Sequence, residues 1–288
     1  LTLAAARQPG AFGRRLRAAV AAHGPLCVGI DPSRELLEAW GLDDDASGVE
    51  AFARRCIETV RGAVPAVKLN AAFFERHGPD GMAVLARALR DARQAGLIAI
   101  ADAKRSDIGN TMVQYAQAWL SEAGPFGSDA LTVVPYFGIE AFDPLVELAE
   151  ANGRGIFVVV RSSNPGGRLV QTSVVEVSRD AQHTDPGSTS LEELLLDELS
   201  RRSNALGAVI GVLAGGHPLR LPSDGFYLAP GVGAQGATPG DLARAFADAP
   251  SNAVLVNLSR SLLRAGPDPG ALRAALQRAH DEIAPALR

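Results

Sequence analysis

Asp102, Lys104 and Asp107 stand within six residues of one another, in the run Asp102-Ala103-Lys104-Arg105-Ser106-Asp107, and Ile108, Gly109, Asn110 and Thr111 follow at once. An ammonium set between carboxylates stays charged, stabilises negative charge that develops beside it, and can deliver a proton. Taken alone, an acid–lysine pair is more often a structural ion pair than a catalytic group. The surroundings favour chemistry here. The apolar run 97–101 ahead of Asp102 reads as a buried strand. Side chains alternate along a strand, so Asp102 and Lys104 share a face. Gly109-Asn110-Thr111 then makes a strand-to-helix loop, where functional groups of α/β folds collect.

A second lysine, Lys68, lies in Ala66-Val67-Lys68-Leu69. A lysine among apolar neighbours needs a carboxylate. Asp31 and Asp102, at the ends of the neighbouring apolar runs, are the candidates, and the series Asp31, Lys68, Asp102, Lys104, Asp107 alternates in charge. Farther on, Pro230-Gly231-Val232-Gly233-Ala234-Gln235-Gly236 offers open backbone N–H groups, and Ser259-Arg260-Ser261 opens a helix. The planar fork of Arg260 and the amide of Gln235 suit phosphate oxygens. Ser162-Ser163-Asn164-Pro165 reads either as a plain turn or as a hydrogen-bonding edge for a heterocycle.

These groups need a scaffold that brings distant segments together. Eight short apolar runs, at 26–30, 64–69, 97–101, 130–134, 156–160, 208–213, 226–229 and 253–258, are separated by helical patterns at 49–61, 82–95, 112–121, 139–151, 191–204 and 242–246. Between the sixth and seventh runs the gap, with Gly215-Gly216-His217-Pro218, is too short for a full helix. Strands alternating with helices imply parallel pairing, and eight such units imply a closed (β/α)8 TIM barrel in a single domain, 1–288. The runs end on Asp31, Lys68 and Asn70, Asp102 and Lys104, Ser162-Ser163-Asn164, His217, Pro230 and Arg260, which is the carboxyl-terminal face where such barrels are functional.

Composition excludes several classes. A net charge of −4 and 5% aromatic residues give neither a field for nucleic acid nor a base-stacking platform. Cys27 and Cys56 fall in apolar and helical runs and read as small core residues of a reducing compartment. No metal-ligand spacing of Cys and His occurs, and no apolar run has membrane-spanning length. The first residues are rich in arginine and alanine and contain no acid before Asp31, as in an organelle transit peptide. Phe12, Leu16 and Val20 opposite Arg14, Arg15 and Arg17 favour instead an amphipathic helix over about 11–23 that runs directly into the first strand. Leu1 in place of methionine suggests an incomplete or processed start. The segment from about 168 to 190 is polar and turn-rich and reads as a mobile loop excursion.

From about Phe12 to about Pro267 these motifs resemble the orotidine 5′-phosphate decarboxylases, in their longer bacterial form. The family's loop, Asp-x-Lys-x-x-Asp-Ile closed by a threonine, is met by Asp102, Lys104, Asp107, Ile108 and Thr111. Gly29-Ile30-Asp31-Pro32, Val67-Lys68, Ser163-Asn164-Pro165, the loop from Pro230 to Gln235, and Ser259-Arg260 complete the pattern. Related sugar-phosphate decarboxylase and epimerase barrels lack the Gly-Ala-Gln loop in this form.

The resemblance implies decarboxylation of orotidine 5′-monophosphate to uridine 5′-monophosphate (UMP) in de novo pyrimidine biosynthesis. It implies a cytoplasmic homodimer without cofactor or metal, without nucleic-acid or membrane partners, whose active site takes the Asp107 position from the partner subunit. Asp31 would meet the ribose and hold Lys68. Asp102 would face the substrate carboxylate, and Lys104 would protonate carbon 6. Ser163 would read the pyrimidine edge. Gln235 and Arg260 would hold the phosphate, with Ile108, Thr111 and Pro230 also in the binding site. Asn70, Ser106, His217 and Val134 depart from the family pattern around the base and ribose. They leave open a specialised paralogue with another nucleotide range or inhibitor tolerance, or one that binds nucleotide without turnover.

Overall fold

The computed structural model describes residues 9–177, 187–233 and 236–288. Ten strands are present among them: β1 (Leu26–Ile30), β2 (Ala66–Asn70), β3 (Ile98–Arg105), β4 (Ala130–Val133), β5 (Gly155–Arg161), β6 (Val174–Val177), β7 (Gly187–Ser190), β8 (Leu206–Ile210), β9 (Tyr227–Pro230) and β10 (Val254–Leu258). Eight close into a barrel in the order β1-β10-β9-β8-β5-β4-β3-β2, and every pair in it is parallel. Both faces of these strands are covered, which is why their sequences are nearly continuous apolar runs. β6 and β7 form a separate antiparallel hairpin within the excursion after β5. So the excursion, expected as a mobile loop, is organised at both described ends, with a short helix Arg168–Gln171 ahead of the hairpin. Its residues 178–186 lie outside the described chain.

The helical patterns are all present with shifted ends. The helix expected at 112–121 is Gly109–Leu120, so Gly109, Asn110 and Thr111 form its first turn rather than a loop. The helix Pro269–Ile283 has no counterpart among the expected helical patterns; Asp268 accepts from Ala271 N at 2.7 Å and Pro269 opens its first turn. Between β8 and β9 no helix intervenes, in keeping with the short gap. The sixth run begins two residues earlier than expected, at Leu206.

The N-terminal helix Ala11–His23 closes the amino-terminal end of the barrel. Phe12 meets Phe226 and Phe157 edge to face, with ring centroids 5.0 and 6.1 Å apart, inside the barrel core that Leu16 and Val20 also enter. Gly155 and Gly207 leave the space these rings occupy, since a Cβ on either would collide with Phe12 or Phe226. On the other side of the helix, Arg15 pairs with buried Asp129 at 2.9 Å, and Arg17 donates to the carbonyls of Ser223 and Gly225 at 2.7 and 2.8 Å. The arginines that resemble a targeting segment are therefore structural in this stretch.

Strand alternation sets the site. Cys27, Ala66, Ile98, Ile100, Ala130, Phe157, Val209, Leu228 and Leu255 point into the barrel and fill its lower layers. Two residues on, the same parity carries Gly29, Lys68, Asp102, Thr132, Pro230 and Asn257 to the carboxyl-terminal mouth. The hydrophobic floor thus ends where the charged layer begins.

Candidate active site

β3 is longer than its apolar run and holds both Asp102 and Lys104 within the strand. Its register against β4 shifts between Ala101 and Arg105, and Lys104 has φ +48°, the one positive value outside glycine among the described residues. An unbranched but bulky residue seldom adopts this left-handed conformation, and it persists only where neighbours hold it. Thr132 is that neighbour: its Oγ1 accepts from Lys104 N at 3.0 Å and donates to Asp102 Oδ1 at 2.9 Å.

Asp102 is the hub. Lys68 Nζ donates to its Oδ2 at 2.7 Å and Lys104 Nζ to its Oδ1 at 2.5 Å. Lys68 is buried, whereas the side chain of Lys104 is 52% exposed and stands at the rim. Burial alone would drive the Asp102 carboxyl upward, but Lys68 and then Lys104 outweigh it and hold the group well below the usual carboxylate range. Burial likewise opposes the charge of Lys68, and Asp102 and then Asp31 overcome it, keeping this ammonium above its ordinary range. Cys27 lies beneath, its thiol pushed up to about 12, chiefly by burial, so it is an inert core residue as its run suggested.

The alternating charge series is only partly realised. Lys68, Asp102 and Lys104 are contiguous. Asp31, offered as a partner of Lys68, acts on it through space, and its Oδ1 is buried without a hydrogen-bond partner. Asp107 turns away and accepts from the N–H of Ile108 at 2.8 Å; it makes no ion pair with Lys104. Ile108 is 59% exposed and Thr111 is exposed, and neither is on the walls of the cleft beside β10.

An open cleft of about 180 Å³ lies between β1, β9 and β10, on the far side of β1 from Lys68. Asp31, Phe73, Pro230, Gly231 and Arg260 are on its walls, Arg260 at the start of the short helix Arg260–Leu263. Ser163 is half-buried just beyond β5, and its Cβ would lie 3.2 Å from a Cβ on Gly231, which brings the candidate base edge beside the glycine-rich loop. Gln235 lies outside the described residues.

The departures from the family pattern have structural partners. Asn70 Oδ1 faces Ala72 N at 3.4 Å at the start of the next turn. Ser106 Oγ donates to the Val134 carbonyl at 2.6 Å and ties the loop after β3 to the end of β4. His217, taken as a mouth residue, is instead engaged by a buried ion pair: its Nε2 is 3.2 Å from Glu192 and 2.8 Å from Arg161 Nη2, while Arg161 donates to Glu192 at 3.0 Å. Buried Arg161 needed a carboxylate, and the helix Leu191–Arg202 supplies it.

Sequence reading missed Thr132. Its signal was a hydroxyl at inward parity in an otherwise apolar run, Ala130-Leu131-Thr132-Val133. It also missed Asn257, which has inward parity on β10.

The structure is thus a parallel eight-stranded barrel with a lysine–carboxylate–lysine cluster and an arginine-flanked cleft at its carboxyl-terminal mouth. The chain belongs to the orotidine 5′-phosphate decarboxylase / HUMPS family, whose family model matches residues 24–275. It is 45% identical to the orotidine 5′-phosphate decarboxylase of Streptomyces coelicolor over 278 residues, covering 96% of this chain and 98% of that one. It is 44% identical to the Salinispora arenicola enzyme of the same name over 275 residues, 93% and 95% of the two chains. A crystal structure of a Streptomyces avermitilis protein described as an orotidine 5′-phosphate decarboxylase superposes with a TM-score of 0.85 at 41% identity, covering 100% and 99%. Leishmania donovani OMP decarboxylase superposes at 0.75 with 26% identity, covering 96% and 98%.

Proposed function

We infer that this chain decarboxylates orotidine 5′-monophosphate to UMP and carbon dioxide, as a step of pyrimidine biosynthesis. The observation that carries the reading is the Lys68–Asp102–Lys104 cluster at the barrel mouth, with both lysines on one carboxylate. Loss of carbon dioxide from carbon 6 leaves a carbanion with no conjugated sink. The Lys104 ammonium, at the rim, stabilises that charge and then supplies the proton that completes the product. Asp102, held ionised, faces the carboxylate of the substrate and makes the ground state unfavourable there. Contacts remote from carbon 6 hold the substrate in this setting: Asp31 on the ribose, Ser163 on the pyrimidine edge, Pro230, Gln235 and Arg260 toward the phosphate.

The working unit is a homodimer with shared sites. Asp107, Ile108 and Thr111 turn outward after β3, and Tyr136 and Phe137 after β4 are 85% and 51% exposed. Apolar side chains on adjoining loops next to outward-facing polar groups suit a two-fold contact that delivers Asp107 to the neighbouring mouth. The reaction needs no cofactor, and the enzyme works in the cytoplasm; among the described residues no helix is long and apolar enough to cross a membrane.

The test is direct. Orotidine 5′-monophosphate is added to the purified protein in the presence of a chelator, and the loss of its ultraviolet absorbance is followed. Turnover is expected. A folded protein that binds UMP without turning substrate over would be a binding paralogue, and activity abolished by the chelator would point to a metal-dependent relative.

A further inference from the structure

The cleft beside β10 has a wall that the reading above leaves unused. Leu255 and Asn257 share inward parity on this strand, Ser259 follows just beyond its end, and Asn257 is paired in register with Pro230 on one side and Cys27 on the other. Both Asn257 and Ser259 line the cleft with Asp31, Gly231 and Arg260. Room for them comes from Gly29: a Cβ there would lie 2.8 Å from Ser259 Cβ and 3.1 Å from Asn257 Oδ1.

Asn257 Nδ2 lies 3.3 Å from the same position, so both ends of the amide rest against Gly29 and they differ in burial. Its Oδ1 is buried against β1 without a hydrogen-bond partner, as are Ser259 Oγ and Asp31 Oδ1 on the same wall. Its Nδ2 is not among the buried atoms and makes no hydrogen bond within the described residues. The accessible end of the amide is therefore an unpaired N–H donor in the cleft, directly opposite Pro230 in register and three residues before Arg260. A donor beside a guanidinium at the start of a helix suits an acceptor-only group of negative charge.

We propose that Asn257 is a specificity-determining residue of the site, donating from Nδ2 to the phosphate-ester end of the nucleotide. This rests on the function inferred above and adds a residue to it. Such a contact is remote from carbon 6, so it discriminates the nucleotide from the nucleoside and has no part in the proton transfer.

The near-isosteric Asn257→Asp exchange replaces the donor with an acceptor of negative charge. Inhibition constants for UMP and for uridine, measured on wild-type and variant protein with thermal unfolding as the control for folding, read the result. UMP is expected to bind about tenfold more weakly or worse, the loss of one hydrogen bond to a charged group, while uridine changes by less than about threefold. If Asn257→Asp does not fold, Asn257→Ala takes its place, with the UMP loss again expected to exceed the uridine loss. Unchanged UMP binding in a folded variant, or equal losses for both ligands, overturns the proposal. Wild-type protein that fails to bind UMP would overturn the inferred function as well, so the two failures are distinct.

Discussion

Asp102 and Thr132 are joined by a hydrogen bond of 2.9 Å, and the same hydroxyl accepts from the backbone N–H of Lys104. One threonine thereby holds the hub carboxylate and the left-handed backbone that aims the rim lysine. Thr132→Val keeps the shape and removes both bonds. It is expected to cost about 1–3 kcal/mol of stability and to lower kcat about tenfold with a smaller change in KM, because a misaimed group loses alignment more than affinity. Thr132→Ser should restore most of both. Chemical denaturation and steady-state kinetics on the two variants check this.

Lys104→Ala should abolish measurable turnover while the protein stays folded. Lys68 continues to neutralise Asp102 at 2.7 Å, and the lysine removed is half in solvent, so stability should fall by only about 1 kcal/mol. UMP binding should persist. Near-normal turnover by folded Lys104→Ala protein would sink the mechanism.

Asp102→Asn tests the hub. Lys68 would be left buried and unpaired, at a cost of about 3–5 kcal/mol. The dependence on pH should change too. The folded Asp102 carboxyl titrates below its unfolded value, so its contribution is complete above about pH 4 and is lost as pH falls through the folded value. Lys68 is shifted upward, so its contribution is complete below about pH 10.4 and is lost as pH rises through its folded value. Urea midpoints followed from pH 6 to pH 3 should therefore fall more steeply for wild-type protein than for Asp102→Asn. Parallel slopes would remove Asp102 from the acid response.

Arg260→Ala should weaken UMP binding about tenfold or more and uridine binding much less, with kcat/KM for the substrate lowered in step. Titrating both ligands against wild-type and variant protein gives the comparison. Equal affinity of wild-type protein for UMP and uridine would mean that the phosphate seat is misplaced.

Mixing inactive Lys104→Ala and Asp107→Ala proteins should restore activity if Asp107 serves the neighbouring subunit. Each heterodimer would hold one site with both defects and one with neither, giving about half the wild-type activity per dimer. Verified heterodimers that stay inactive, with an active monomer on sizing, would exclude shared sites.

The barrel was legible in the chain because burial on two faces leaves an unmistakable mark: eight apolar runs at regular intervals, broken by helical periodicity. Lys68 could be singled out for the same reason, since a lysine inside such a run has no inexpensive place in water or core. The choice of its partner was not legible. Asp102 stands on one strand flanking β2 and Asp31 just beyond the end of the other, and the register, with Asn70 opposite Asp102, brings Asp102 within reach. The end of β3 was misjudged because polar residues close an apolar run in sequence, while in space Thr132 supplies hydrogen bonds that carry the strand on to Arg105. His217 looked like a mouth residue by position, yet the buried charge of Arg161, paired with a glutamate 31 residues away, draws it elsewhere. The sequence by itself determined which segments are strands and which charges need company, because periodicity and desolvation are local costs. Tertiary structure decided which charges meet and which donor is left facing the cleft, because those depend on the stagger of neighbouring strands around a closed barrel.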